Sequence, residues 1–395
     1  MTAPAPGFVV TLYDKGYNKV GSVNGYISCS VSHDWNAVGT GTLVLSEKHP
    51  LAGAMLACNT AVVPIRVASA NGLWTGRVAH VELSGPVGAG MITASLVDDW
   101  AWFRALLAWP DPTLPLSAQP ATGDKTNVPI DTAVKAYIRD NAKRQNLPMY
   151  VVPAPSPDPT PPVNLSARFT PIDELCTVPL TLNNRTLTIS TWVPGDPQPA
   201  GTTLTSPTLV VDITGSQDNP RITWKDTFGG VTSRTVTVTA PTAVTALAGG
   251  AGTLAARYFT SVTDQLAFTN QGNFAFREVF VNASDQAIAD RVNQAAATSL
   301  DNHNAGLAAY TFGVLDGNPW AYRRDYALGD IGGASLSGVE VRQRITRITE
   351  SDDGTKGYQV QPILGVTSST ETANIAVLRA VAVLAGALLT QNARQ

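Results

Sequence analysis

Four histidines, His33, His49, His80 and His303, are the side chains best suited to proton transfer or metal ligation near neutral pH. They lie far apart in the sequence. None falls in an HExxH spacing, which would bring two imidazoles onto one face of a helix around a metal. His33-Asp34 could let a carboxylate orient an imidazole, but no nucleophile stands nearby and a surface turn explains the pair as well. Asp98, Asp99, Asp325 and Asp330 could serve as the acid and base of glycoside hydrolysis, a chemistry decided by a separation that chain order does not give. No Gly-x-Ser-x-Gly elbow occurs. Asp352-Asp353 lacks the alternating ligands of a calcium loop. Gly249, Gly250 and Gly252 resemble a phosphate-cradling loop only superficially, because no Gly-Lys-Ser/Thr follows. Cys29, Cys58 and Cys176 are scattered outside any Cys-x-x-Cys spacing and read as small buried hydrophobes of a chain assembled in a reducing compartment. No residue set implies a metal or cofactor, and the residues favour a binding or structural protein over an enzyme.

Composition points the same way. At 395 residues the chain is long for one domain, and two or three are expected. Charged residues make up 14% and hydrophobic ones 44%, with 33 Gly and 27 Pro, which favours many short strands joined by turns. A net charge of −3 gives no broad basic face for nucleic acid. The opening MTAPAPGFVV lacks the basic start and apolar run of an export signal. The longest apolar run, 375–389, is shorter than the ~20 residues that cross a bilayer and contains Arg379. A soluble chain without stable membrane insertion is the expectation.

Hydrophobic periodicity supplies the elements that must position these residues. Strands are predicted at 8–13, 23–31, 41–45, 61–69, 73–83 and 91–97, a density that suggests a small barrel or sandwich. Ala70-Asn71-Gly72 is a hairpin signal, and His49-Pro50 opens a short helix with Pro at the first helical position. Trp100, Trp102, Phe103, Leu106, Leu107 and Trp109 crowd ten residues, as a packed inter-domain seam or a surface for stacking carbohydrate. A helix is predicted over 130–145, with Asp131 in its first turn and Lys143 and Arg144 in its last, where they suit the helix dipole. The proline-rich 151–162 reads as an extended spacer. A short helix, PIDEL, and strands at 187–193, 208–214, 222–224 and 231–239 follow. Trp224 and Gly229 between strands faintly echo Trp35 and Gly39. A helix runs from Ser284, its N-cap, to about Asn302.

The unit 320–365 begins with a turn, Ala327-Leu328-Gly329-Asp330. In the next strand Val339, Val341 and Ile345 alternate with Glu340, Arg342, Arg344 and Thr346. Asp352-Asp353-Gly354 then reverses the chain into a return strand carrying Tyr358, Val360 and Leu364. Finally, 372–395 reads as one helix. Asn374, Val377, Val381, Leu384, Leu388 and Gln391 repeat at spacings of three and four, the seam of a short coiled coil or of a helix packed on its own domain.

The opening TLYDKGYNKVGSVNGYISCSVSHDWNAVGTGTLVL resembles the start of tail-hub proteins of long-tailed bacteriophages, often called minor tail proteins in phages of actinobacteria. The resemblance rests on Tyr13-Asp14, the turn through Gly21, and Trp35 before Gly39. Ala327-Leu328-Gly329-Asp330, the strand 341–348 and Pro362-Ile363-Leu364-Gly365 carry it through most of residues 8–366. The proline-rich segment and the final helix depart from the pattern, and the wall-degrading role of some longer relatives is not expected here.

The resemblance implies a mainly β (β+α) fold with two small β-barrel-like hub domains, at 1–99 and 201–366, the second with a helical insertion at 284–302. A middle α/β domain at 100–200 and the final helix at 367–395 complete the expected organisation. It implies a non-enzymatic virion protein of the tail tip (baseplate), assembled in the host cytoplasm. As a homotrimer, it would join the sixfold tail tube to threefold tip components and line the path of genomic DNA. The expected partners are a distal tail ring, the tape measure protein and other minor tail or receptor-binding proteins. Val377, Val381, Leu384 and Leu388 are the candidate trimer contacts. A host cell-wall carbohydrate-binding protein, which would use the eight tryptophans, is the alternative, and a glycan hydrolase is a further one.

Overall fold

The computed structural model describes residues 7–365 apart from 227–229, 239–242, 253–255, 266–267, 270–271, 273–277, 284–288, 305–307, 318, 337–338 and 354–356. The final helix with Val377, Val381, Leu384 and Leu388, the N-cap at Ser284 and the turn residue Gly354 therefore lie outside the described residues. The first third is an antiparallel sheet of β1 (Val9–Tyr13), β2 (Lys19–Val23), β3 (Ser28–Asp34), β4 (Thr40–Ser46), β5 (Pro64–Ser69), β6 (Gly72–Ser84) and β7 (Met91–Asp98), with α1 (Ala52–Leu56) between β4 and β5. Alternation decides its faces. Val10, Leu12, Val31, Leu43, Leu45, Ile92 and Leu96 point into one core with Ile65, Val67 and Trp74. Ser69 pairs with Gly72, whose φ of 128° suits only glycine, so the predicted hairpin forms. Helix α1 starts later than Pro50. The His49 side chain accepts from Leu51 N at 3.1 Å and its carbonyl from Ala52 N at 2.9 Å, which makes a turn first.

The middle of the chain mixes α and β. It contains α2 (Trp102–Ala105), β8 (Leu107–Ala108), β9 (Gly123–Pro129), α3 (Ile130–Arg144), β10 (Met149–Val151), β11 (Pro162–Ala167), β12 (Thr170–Pro171), α4 (Ile172–Leu182), β13 (Arg185–Trp192) and β14 (Thr208–Gly215). Ile130, Ala133, Val134, Tyr137, Ile138 and Ala142 recur at helical spacing and bury one face of α3 against Trp100, Phe103, Leu106 and Val211. Trp100 and Phe103 meet edge to face at 5.3 Å in that core with Leu106, while Trp102 and Trp109 stay partly exposed and Leu107 is exposed. The proline-rich segment is docked, not a free spacer. Pro129 brings no side-chain cap to α3, and the segment satisfies its first N–H groups instead. Ile130 N donates to Pro161 O at 3.0 Å, Asp131 N to Thr160 Oγ1 at 3.3 Å and Thr132 N to Asp158 Oδ2 at 3.0 Å.

The last third holds β15 (Asp218–Trp224), β16 (Val231–Val238), β17 (Thr245–Gly249), β18 (Phe259–Thr263), β19 (Glu278–Asn282), α5 (Ala289–Asn304), β20 (Ala308–Val314), β21 (Ile331–Leu336), β22 (Val339–Asp353) and β23 (Gly357–Gly365). Between β16 and β20, the strands β18-β17-β19 form a separate small sheet under α5. The fold is mainly β, as expected, but two closed barrels are not what the strands make. One 13-stranded sheet runs β16-β20-β23-β22-β3-β4-β7-β6-β5-β1-β2, with β21 and β15 branching from β22, and no pairing closes it into a ring among the described residues. The reason lies in β22. At 15 residues it outruns its own half, and Arg347 to Asp353 pair antiparallel with β3 from Asp34 to Ser28. The edge of β3 on which a first barrel could close is thereby used to join the two halves.

Candidate functional site at a three-way junction

Two sequence signals separated by nearly 300 residues, Trp35 and the Ala327–Asp330 turn, come together where β3 meets β22. Trp35 is buried at the end of β3, and its N–H donates to the Thr346 carbonyl at 2.9 Å. Its indole Nε1 donates to Thr186 Oγ1 of β13 at 2.8 Å, and Thr186 shares a 2.8 Å hydroxyl contact with Ser216. The Arg344 guanidinium lies 4.0 Å over the indole ring, a cation–π contact. Arg344 also donates to the Gly329 carbonyl at 2.5 Å and to Asn184. Asn36, left-handed at φ 48°, holds the edge of β13 through both ends of its amide. Its Nδ2 donates to Arg185 O, and its Oδ1 accepts from Leu187 N, each at 2.8 Å. First, middle and last thirds of the chain thus meet on one tryptophan.

The turn explains why a glycine stands there. Gly329 has φ 91°, and a Cβ would fall 2.6 Å from Trp35 Nε1 and 2.7 Å from both Ser216 Oγ and Thr186 Oγ1. Only glycine permits that backbone and that approach. Asp330 fixes the turn by accepting from Ala327 N and from Gln217 N, each at 2.8 Å. Gly39 plays the same part on the other side, where a Cβ would sit 2.2 Å from the Ser32 carbonyl.

Below this point the β3–β22 ladder is held by acids. Glu350 is 2% exposed, and it accepts from Ser69 Oγ at 2.6 Å and from Tyr358, with His33 Nε2 at 3.2 Å. Burial alone would push its carboxyl up, but the bonds from His33, Ser69 and Tyr358 outweigh it and hold the group below the usual range. Asp352 accepts from Tyr26 OH at 2.5 Å and from Phe8 N at 3.3 Å, and Asp34 accepts from Arg347 Nε at 2.5 Å. His33 therefore faces Glu350, and its neighbour Asp34 turns to Arg347 instead. The arrangement fastens the two halves of the large sheet to each other. Glu350 is shared among Ser69, His33 and Tyr358 and ties β22 to β5, β3 and β23.

The sequence profile of the family described as Siphovirus ReqiPepy6 Gp37-like protein matches residues 9–366. The chain belongs to this siphovirus family. Two solved structures share its fold. A 43 kDa tail protein of prophage MuSo2 from Shewanella oneidensis is 13% identical, with a TM-score of 0.54 over 90% of this chain and 97% of that one. A tail protein from Neisseria meningitidis MC58 is 12% identical, with a TM-score of 0.52 over 92% of this chain and 97% of that one. No curated protein sequence matches. The resemblance read from residues 8–366 is borne out as membership of a siphovirus family, with a fold shared with two tail proteins.

In this family member the other candidate residues serve the fold. Asp98 accepts from Trp100 N at 3.1 Å, and Asp99 accepts from Thr75 and Thr191 hydroxyls at 2.6 Å each. Burial, with Asp99 and Asp34 nearby, pushes the Asp98 carboxyl up to about 8. Asp325 is paired with Arg324 at 2.7 Å. Burial raises the Cys29 thiol to about 12 and raises Cys176 further, so neither is a reactive thiolate. The carbonyls of Gly249 and Gly250 accept from Arg257 at 2.8 and 2.9 Å, the reverse of a phosphate cradle. Among the described residues, no group of three or more His, Cys, Asp or Glu could hold a cation, and no helix is long and apolar enough to cross a membrane. Asn36, Thr186, Asn184 and Arg344 were missed in the sequence. Each carries no short-range pattern, and only the Trp-Asn turn at 35–36 offered a cue.

Proposed function

We propose that this chain is a structural, non-enzymatic component of the virion, the trimeric hub at the tip of a non-contractile tail. In this reading it joins the sixfold tube and distal tail ring to threefold tip components, and its inner surface forms part of the DNA passage. Assembly takes place in the host cytoplasm. The tape measure protein and other minor tail or receptor-binding proteins are its neighbours, and Val377, Val381, Leu384 and Leu388 meet their symmetry mates at the threefold axis.

The observation that carries the reading is the long strand β22, which locks two half-sheets into one continuous surface across a buried junction. A subunit that adapts six positions to three must keep its two halves at a constant relative position, and a shared ladder does so where a flexible linker does not. A net charge of −3 agrees with a channel that does not retain phosphate. The test is the mass in solution by light scattering, alone and with the distal tail protein. A species of three 41.5 kDa chains is expected, reduced to monomer by Leu384→Asp. Imaging of the tail tip that shows any symmetry other than threefold for this chain overturns the proposal.

A further inference from the structure

The small sheet β18-β17-β19 has one buried face and one open face. Ala246 and Ala248 of β17 point towards Val292, Ala296 and Leu300 of α5, so alternation sends Leu247 and Gly249 to the other side. Register places Phe259 beside Gly249 and Phe280 beside Leu247 on that side. The two rings are 58% and 55% exposed. The Arg257 guanidinium lies between them, 5.5 Å from one ring centre and 5.7 Å from the other. Its Nε donates to Gly250 O, and its Nη2 to Gly249 O and Asn282 Oδ1, so the cation is tied to the sheet. Gly249 makes room for it, because a Cβ there would meet the guanidinium at 2.8 Å. The surface left open is two phenyl rings standing on three short strands.

Strand order brings one segment of the chain to this place. β16, β20 and β23 are neighbours in the large sheet, with β20 antiparallel to both. The chain leaves β16 for the insertion at Val238, opposite Ala308, where it returns as β20. It leaves β23 at Gly365, opposite Thr311, so all three points lie at the same end of the strands. Thr311 is about 10 Å along β20 from Ala308. Beyond Gly365, residues 366–374 can span up to about 30 Å before the apolar run 375–389 begins. That run is apolar on two sides. Leu378, Ala382, Ala385 and Leu389 each follow a residue of the seam Val377, Val381, Leu384 and Leu388, and in a helix each lies about 100° round from it. A helix apolar along two stripes has two faces to bury. The second stripe has leucines at its ends and alanines at its centre, a shallow middle that protruding rings fill. We propose that Leu378, Ala382, Ala385 and Leu389 dock on Phe259 and Phe280 of the same chain. The first stripe stays free for the symmetry mates of the hub reading, so the two can fail separately.

The test is hydrogen exchange on the full chain, as wild type and as Leu384→Asp, which alters the other stripe and leaves one chain per particle. Protection of the amides of 375–389 is expected in both. Phe259→Ser with Phe280→Ser should lower that protection roughly tenfold, because each ring has about half its surface left to bury, and should leave the mass in solution unchanged. Leu378→Asp with Leu389→Asp should do the same from the other side and speed exchange at 259–263 and 278–282. If the serines unfold the insertion, seen as lost protection at Thr245–Gly249, the aspartate pair decides alone. Protection that is present in wild type and lost in monomeric Leu384→Asp means that other copies cover the segment, which overturns the proposal. Protection that neither pair of substitutions changes overturns it too, as does no protection at all. A wild type that is already monomeric, with 375–389 protected and both pairs of substitutions effective, sinks the hub reading and keeps this one.

Discussion

The junction around Trp35 and the insertion of β17, β18, β19 and α5 are held together in opposite ways. At the junction, side chains 151 and 160 residues apart in sequence interlock through directional bonds, Trp35 to Thr186 and Arg344 to Asn184. The insertion core consists of Ala246, Ala248, Ala283, Val292, Ala296 and Leu300. Its small side chains bury little apolar area, and its outer face leaves Phe259 and Phe280 more than half exposed against Arg257. Among the described residues, no strand of the insertion pairs with the large sheet, and the chain enters it after β16 and leaves it before β20. One region is therefore cooperative with the whole molecule, and the other can open alone. For a protein proposed to keep two halves in constant relation, the rigid element belongs where it is found.

The largest effect should come from the glycine of the junction. Gly329→Val puts a β-branched residue at φ 91° and drives its Cβ within 2.7 Å of three polar side-chain atoms. Backbone strain and overpacking together should cost about 3–5 kcal/mol. Urea unfolding should show a much lower midpoint, or no soluble protein. A variant as stable as wild type would mean that the three thirds do not converge on Trp35 as described.

Much of this region was legible as pieces and not as a whole. Trp35 and the Ala327–Asp330 turn stood out because turns need glycine and aspartate at set offsets. Their meeting did not, because Thr186 and Arg344 are ordinary polar residues in their own strands, and long-range pairing leaves no local period. The strand read from the alternation of 339–346 continues to Asp353 because Glu350 is buried under His33, Ser69 and Tyr358 and Asp352 is bonded by Tyr26 and Phe8, so the apolar pattern stops before the strand does. The helix read as PIDEL continues to Leu182 through Pro179, since Cys176 and Leu180 pull that face into the core.

A middle-sized effect should appear with pH. Asp98 titrates at about 8 when folded and at 3.8 when exposed, so the folded state binds the extra proton between those values. Stability contributed by this group is therefore greatest near pH 4 and falls as pH rises towards 8, by up to about 1.4 kcal/mol per pH unit. Asp98→Asn keeps an oxygen for Trp100 N and has nothing to ionise. Its stability relative to wild type should rise with pH, so that denaturation midpoints at pH 5 and pH 8 diverge in its favour. Equal midpoint differences at the two pH values would mean that the Asp98 carboxyl is hydrated and is not raised by its surroundings.

The smallest global effect should come from the insertion. Leu300 is the largest side chain of its core and 4% exposed, so Leu300→Ala should cost that unit about 2–4 kcal/mol. Because its contacts lie within β17, β18, β19 and α5, the loss should fall on local opening and not on the unfolding of the 13-stranded sheet. Hydrogen exchange should speed up at the amides of Thr245–Gly249 and stay unchanged at those of β3 and β22, while the free energy of the main urea transition changes by less than about 0.5 kcal/mol. If protection of β3 and β22 falls together with that of β17, the insertion is part of the cooperative unit. The contrast between a rigid junction and an independent appendage would then have to be abandoned.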